Sequence, residues 1–313
     1  MTKNRMPTPR SVMVTGASSG IGRACAIHLG RLGFQVFAGV RKQADGDALK
    51  LWATGPLVPV LIDITEPVSL ANAVHTVEAF LGEAGLNGLV NNAGIVVAGP
   101  LEFLPMEELR KQLEVNVIGQ IAVTQAFLPL LRKGAGRVVN MGSIRGKVPL
   151  PFLGPYCASK FALEALTDSL RMELRQWGIQ MVIVEPGSVA TPIWEKSRAA
   201  AEKVIARLPQ RAQHQYSPAF EAVRKATDKM SKFAMDADVV AKTVARALTA
   251  NRPKPRYLVG RDARLEVALA KLLPRLVNDW VIARLLRLPR PDSFFASEHA
   301  RREMSYNADS RRE

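Results

Sequence analysis

Short apolar runs alternate along this chain with longer helical stretches, and nearly every run ends in glycine or a polar residue. Strands are expected at Ser11–Val14, Gln35–Val40, Val58–Ile62, Gly88–Val90, Arg137–Met141 and Gln180–Val184, with Arg256–Val259 as a last one. Helices read at Ile21–Leu32, Val68–Leu81, Met106–Leu131, Pro155–Trp177 and Asp236–Ala250. Strands separated by helices pair in parallel through right-handed crossovers, with helices on both faces. The fold class expected is therefore α/β: one doubly wound domain on a central parallel sheet of about seven strands. Such sheets bind ligands beyond the carboxyl ends of their strands, so the loops there form one candidate site.

Composition narrows the class. Apolar types make up 48% of the 313 residues and charged types 23%, which excludes a disordered chain, a collagen and a coiled coil. Two cysteines, Cys25 and Cys157, make no disulfide framework and fit a reducing, cytoplasmic compartment. Met1–Arg10 is polar and basic and has no apolar h-region, so no secretory signal is expected. The uncharged stretch Val115–Leu131 is interrupted by Asn116, Gln120, Thr124, Gln125 and Pro129, and no membrane span of about 20 apolar residues is expected. Lys and Arg exceed Asp and Glu by 15, which attracts a phosphorylated cofactor or anionic lipid and equally serves solubility. No basic run with interleaved aromatics points to nucleic acid, and no metal site is expected.

The first strand runs into Thr15-Gly16-Ala17-Ser18-Ser19-Gly20-Ile21-Gly22, where a helix begins. Glycines permit positive φ and close backbone approach, and a helix start offers free N–H groups to a pyrophosphate. Downstream, Tyr156 and Lys160 stand four apart on one helix face. Ser143 lies just past the fifth strand, 13 residues before Tyr156, and Asn116 sits inside the long helix, where an amide needs partners. A nearby ammonium lowers a phenol pKa, so Lys160 prepares Tyr156 for general acid–base work near neutral pH.

The glycine turn, Asn116, Ser143, Tyr156 and Lys160, in that order, resemble the short-chain dehydrogenase/reductase family. The resemblance is close over Ser11 to about Pro192 and looser beyond. The Val-Arg after the second strand, the Asn-Met-Gly-Ser-Ile-Arg-Gly around Ser143 and the C-terminal extension resemble its hydroxysteroid and retinol dehydrogenase branch. The resemblance implies a Rossmann-type domain and a catalytic tetrad of Asn116, Ser143, Tyr156 and Lys160, with Asn116 holding a water that links Lys160 to solvent. It places Asp63 at the adenine amino group with Ile64 beside it. Asn92, Ala93 and Gly94 then line the adenine ribose side, and Pro186, Gly187, Val189 and Thr191 fix the nicotinamide carboxamide. Lys160 also binds the nicotinamide ribose.

An NAD enzyme usually has an acidic residue after the second strand to accept from the ribose 2′-hydroxyl. Here Val40 is followed by Arg41, whose guanidinium suits a 2′-phosphate. NADP(H) is therefore favoured, with NAD(H) as the alternative.

The loops after strands four to six offer mostly apolar residues, among them Val96, Phe152 and Trp194. They suit a hydrophobic alcohol or carbonyl, unless they are simply core. Arg145 either meets an acidic substrate group or is solvated. By resemblance the substrate is steroid-, retinoid- or lipid-like, and the chain forms a dimer or tetramer. Residues 1–260 form the dinucleotide-binding and catalytic domain, with a substrate lid at about 191–235.

The extension 261–313 is basic and amphipathic. Arg264, Lys271 and Arg275 lie opposite Leu265, Leu269, Leu272, Leu276 and Trp280, with Pro274 splitting the segment. It either lies peripherally on a membrane or packs on the core or another subunit. Ala296–Glu313 reads as frayed. Two other classes remain: a non-catalytic dinucleotide-binding regulator, against which the complete tetrad argues, and an isomerase or dehydratase that retains its cofactor.

Overall fold

The computed structural model describes residues 10–289; Met1–Pro9 and the expected frayed end Ala296–Glu313 lie outside the described residues. Its sheet has strands β1 (Ser11–Val14), β2 (Gln35–Val40), β3 (Leu57–Leu61), β4 (Gly88–Asn91), β5 (Arg137–Met141), β6 (Gln180–Pro186) and β7 (Arg256–Val259). All are parallel, in the order β3-β2-β1-β4-β5-β6-β7. β1 pairs with both β2 and β4, so the crossovers leave in opposite directions there and open a crevice at the strand ends.

Helices cover both faces, which is why the strands read as continuous apolar runs rather than alternating ones. Val12 and Val14 pack on α1 (Gly20–Arg31) and α9 (Ala237–Thr249). Met13 points the other way, into a core shared with α3 (Pro67–Leu81) and α5 (Gly119–Lys133). One helix, α2 (Gln43–Trp52), has no counterpart in the sequence reading. It buries only Gly46 and Leu49, too little to make an apolar period.

The expected long helix is α4 (Met106–Leu113), a π-helical turn at Glu114–Ile118 and then α5. Among the described residues it is also the one helix long and apolar enough, by length and composition, to cross a membrane. In this fold it is a core helix. Val123, Phe127, Leu130 and Leu131 are buried on the sheet; the polar Gln112, Asn116, Gln120 and Thr124 are buried too, and of these four Asn116 reaches the crevice wall.

The expected lid consists of α7 (Ile193–Ala206) and α8 (Gln210–Lys232). Its two ends are stitched together: Met235 N–H donates to Ser188 O at 2.9 Å and Ala190 N–H to Met235 O at 2.8 Å.

After β7 come α10 (Arg261–Leu272) and, past Pro274, α11 (Arg275–Leu285). Ala263 and Val267 bury against Ile144 and Val148, so α10 is docked on the domain. The apolar set read from the sequence does not form that contact: Leu265, Leu269, Leu272, Leu276 and Trp280 are exposed.

Candidate active site

α6 (Gly154–Glu173) carries Tyr156 and Lys160 into the crevice, and the end of β5 brings Ser143. Ser143 is extended and opens a 3₁₀ turn, Ile144–Gly146, with its hydroxyl oxygen accepting the Arg145 N–H at 3.1 Å. The Tyr156 phenol is hydrogen-bonded with Ser143. Burial pushes its pKa above the ordinary value, while Ser143 and the Arg145 charge pull it down. Lys160 Nζ donates to Met141 O at 2.7 Å and stands 5.7 Å from the Tyr156 ring centre. Burial also lowers Lys160 from 10.5 to about 8, against the pull of Glu164. Loss of hydration thus outweighs the lowering of the tyrosine expected from a neighbouring ammonium.

The π-helical turn aims Asn116 inward. Its Oδ1 accepts the Ile95 N–H at 2.9 Å, and its Nδ2 donates to Ile95 O at 3.0 Å and Ser159 Oγ at 3.3 Å. These direct contacts position the loop after β4. Gln112, one turn earlier, does the same for Val97 N–H at 2.6 Å and Ile95 O at 3.0 Å. Sequence reasoning passed over Gln112; a buried amide one helical turn before Asn116 was the available signal.

At the other end, Gly16 has φ +64°, and a Cβ there would lie 2.8 Å from Ala93 Cα. Gly22 is the one expected cofactor residue that does not face the cavity. It lies behind the turn, where a Cβ would collide with Gly16 O and Asn92 Nδ2. Asn92 holds the turn from the side, donating to Thr15 O at 3.0 Å and Gly16 O at 3.2 Å, and Thr15 Oγ1 accepts from Asn92 and Ala93 N–H. The start of α1 has no side-chain cap at Ser19 and no acidic residue in its first turn, so its N–H groups are left for an anion. Arg41 is exposed on the lip. Burial opposes ionisation of Asp63, but Thr65 N–H, Thr65 hydroxyl and the Arg41 charge outweigh it and hold its pKa below the usual carboxylate value.

Gly16, Ser18, Ser19, Gly20, Ile21, Arg41, Asp63, Ile64, Asn92, Ala93, Gly94, Pro186, Gly187, Val189 and Thr191 share one cavity with Asn116, Ser143, Tyr156 and Lys160. Its volume of about 1530 Å³ exceeds the roughly 300–1,000 Å³ of a single-ligand pocket. The open helix start, the left-handed glycine that lets the backbone pass close, and the lip arginine fit a nicotinamide dinucleotide, with room left for a second molecule.

Part of that remaining space is apolar, and part is rimmed by charged residues such as Glu108, Arg198 and Arg224. Val96, Phe152 and Trp194 line the apolar part, with Ile193 of α7, Phe220 of α8 and Leu286 after α11. Trp194 Nε1 donates to Val189 O at 2.7 Å, which spends its polar end inside the wall. Phe152, at φ +64°, packs edge-on to Tyr216 and Phe220 of α8, and Tyr216 donates to Glu102 at 2.7 Å. These lid contacts join positions far apart in sequence and gave no local signal. Arg145 departs from both expectations: it is buried, and its guanidinium is paired with Glu266 rather than offered to substrate or solvent.

Behind Lys160 lies a charge cluster in which Glu164 and Glu185 are buried and Lys147, Arg256 and Asp168 half-buried. Lys147 Nζ reaches Glu185 at 2.8 Å and Glu164 at 3.2 Å, and Arg256 bridges Glu164 and Asp168.

The short chain dehydrogenase family model matches residues 10–202, more than half of the chain. The chain is 38% identical over 300 residues to retinol dehydrogenase 5 of Mus musculus, covering 93% of each. It is 35% identical over 288 residues to estradiol 17-beta-dehydrogenase 2 of Mus musculus, covering 88% of this chain and 74% of that one. A solved short chain dehydrogenase from Burkholderia cenocepacia J2315, in complex with NADP, superposes with a TM-score of 0.65 at 25% identity, covering 90% of this chain and 98% of that one. The tetrad, the sheet order and these matches agree: the chain belongs to the short-chain dehydrogenase family, oxidoreductases acting on CH–OH groups, and to its retinol and hydroxysteroid dehydrogenase branch.

Proposed function

We propose that this protein interconverts a hydrophobic alcohol, steroid-, retinoid- or lipid-like, and its ketone or aldehyde, using NADP(H) in preference to NAD(H). The observation that carries the reading is the Ser143–Tyr156 pair at the junction of the dinucleotide crevice and an apolar chamber. The names of the retinol and estradiol relatives support the substrate class, and the NADP complex of the Burkholderia protein supports the cofactor.

In the reductive direction the substrate oxygen rests between the hydroxyls of Ser143 and Tyr156. Ser143 donates a hydrogen bond to it, and Tyr156 gives it the proton. Lys160, fixed by Met141 O, lends positive charge to the phenolate left behind and reaches toward the nicotinamide ribose. When bound, the nicotinamide supplies or takes up the hydride. Arg41 holds the 2′-phosphate, and the start of α1 holds the pyrophosphate. The chamber walls exclude water and select an apolar substrate.

Fluorescence titration with NADPH and NADH, followed by a panel of steroid, retinoid and aliphatic carbonyls, tests this. Tighter NADPH binding and turnover of an apolar carbonyl are expected. An NADH preference overturns the role of Arg41, and binding of neither overturns the enzyme reading in favour of a regulator. Tyr156→Phe keeps cofactor binding and loses turnover by about 10²–10⁴-fold; retained activity would exclude Tyr156 as the acid–base.

Exposed Leu272, Leu276 and Trp280, among the basic Lys271 and Arg275, suit shallow contact of a cytoplasmic protein with an anionic membrane. Replacing the three by serine abolishes binding to anionic vesicles if so. Exposed Ile118 and Phe161 suit a homo-oligomer, which sedimentation tests.

A further inference from the structure

α10 reaches back to the two loops that carry the reaction. Glu266 takes Arg145 Nη2 on both carboxylate oxygens, at 2.6 and 3.0 Å. Arg145 Nη1 donates to Val148 O at 3.1 Å, and the Arg145 N–H donates to the Ser143 hydroxyl oxygen at 3.1 Å. The Arg145 backbone N–H thus holds the start of the turn at Ser143, while its guanidinium ties the far side at Val148 to Glu266. One helical turn earlier, Asp262 accepts the Ser188 N–H at 2.9 Å. It lies so close to Gly187 that a Cβ there would sit 2.5 Å from Asp262 Oδ2. Asp262 and Glu266, four apart, share a helix face. One meets the loop after β5 and the other the loop after β6.

Docking α10 for stability alone needs only the apolar contact of Ala263 and Val267 with Ile144 and Val148. The Arg145–Glu266 pair is half-buried, with its carboxylate partly in solvent, and solvent screening leaves such a pair little net stability. What the pair adds is direction: it gives the Arg145 side chain one fixed partner beside the turn that opens at Ser143.

We propose that Glu266 is a positioning residue for the reaction, and that α10, through Glu266–Arg145 and Asp262–Ser188, sets the placement of Ser143 against the nicotinamide end of the crevice. This rests on the reading of Ser143 and Tyr156 given above. Displacement of a catalytic group by about 1 Å costs about 10²-fold in rate.

The test compares full-length wild type, Glu266→Gln, Arg145→Met and the double variant. It measures kcat, KM, the Kd for NADPH and amide hydrogen exchange over residues 143–148. Glu266→Gln is expected to lower kcat about 10- to 100-fold with KM and the NADPH Kd unchanged, and to speed exchange in that turn. In the Arg145→Met background it is expected to add nothing, since both changes break one coupling. Unchanged kcat, unchanged exchange, or additive losses would overturn the proposal. A loss of cofactor binding in step with activity would also overturn it, as the mark of a helix that merely supports the fold. Wild type that turns over no carbonyl sinks the functional reading by itself, and the exchange rates still decide the positioning. If Glu266→Gln does not fold, Glu266→Asp keeps the charge and shortens its reach; wild-type kcat and exchange in that variant would overturn the proposal.

Discussion

Lys160 Nζ is tied to the Met141 carbonyl at 2.7 Å, which fastens the buried ammonium of α6 to the end of β5 two residues before Ser143. Burial lowers its pKa from 10.5 to about 8. Below pH 8 the folded and unfolded chains both carry the charge, and the folded one bears the full cost of burying it. Between about 8 and 10.5 the folded chain has released a proton that the unfolded chain keeps, so this group makes stability rise with pH. Lys160→Met is therefore expected to abolish turnover and to raise the melting temperature at pH 7. That gain shrinks to nothing by about pH 10.5. Melting curves at both pH values check it; a lower melting temperature at pH 7 would mean that the bond to Met141 outweighs burial.

Glu185 has the opposite sign. Burial, with Glu164 beside it, pushes its carboxyl from 4.5 up to about 7, although Lys147 pulls it down. Between those values the folded chain holds a proton that the unfolded chain has lost, so its contribution to stability is largest below pH 4.5 and is lost as pH rises through 7. Glu185→Gln is expected to stabilise the protein at pH 8 and to change little at pH 5, read as melting temperature at the two values. Destabilisation at pH 8 would show that its ion pair with Lys147 dominates.

Arg41 stands on the open lip of the crevice beside Asp63. A charged hydrogen bond contributes about 1.5–3 kcal/mol, so Arg41→Ala is expected to weaken NADPH about 10- to 100-fold. NADH binding stays as it was. Titration of the variant with both cofactors decides it, and equal weakening of both would remove the 2′-phosphate role.

Gly22 packs against Gly16 O and Asn92 Nδ2, leaving no room for a methyl group. Gly22→Ala must shift the turn, at about 1–3 kcal/mol. Cofactor binding is expected to fall more steeply than the melting temperature, because the displaced atoms shape the pyrophosphate site. A fully binding variant would show that the turn adapts.

The strand ends were legible because each apolar run stops where the chain leaves the sheet, and that is also where Ser143, Asp63 and Asn92 stand. Tyr156 and Lys160 were legible because helical spacing fixes a shared face. α2 escaped because its buried side is Gly46 and Leu49. Arg145 was misread for a different reason. Its partner is 121 residues away, and no local pattern shows which carboxylate the fold will bring to a loop arginine. Tyr216 and Phe220 belong to the same class: their partner, Phe152, lies across the chamber on another element.

The distance along the chain between Arg145 and Glu266 also sets a schedule for synthesis. At about 5–20 residues per second, the 121 residues that separate them take roughly 6–24 s to make. For most of that interval the nascent chain already has the glycine turn, Ser143, Tyr156 and Lys160. Its guanidinium behind the serine is still without its carboxylate. The contact of α10 with the turn after β5 is therefore among the last to form in the described fold.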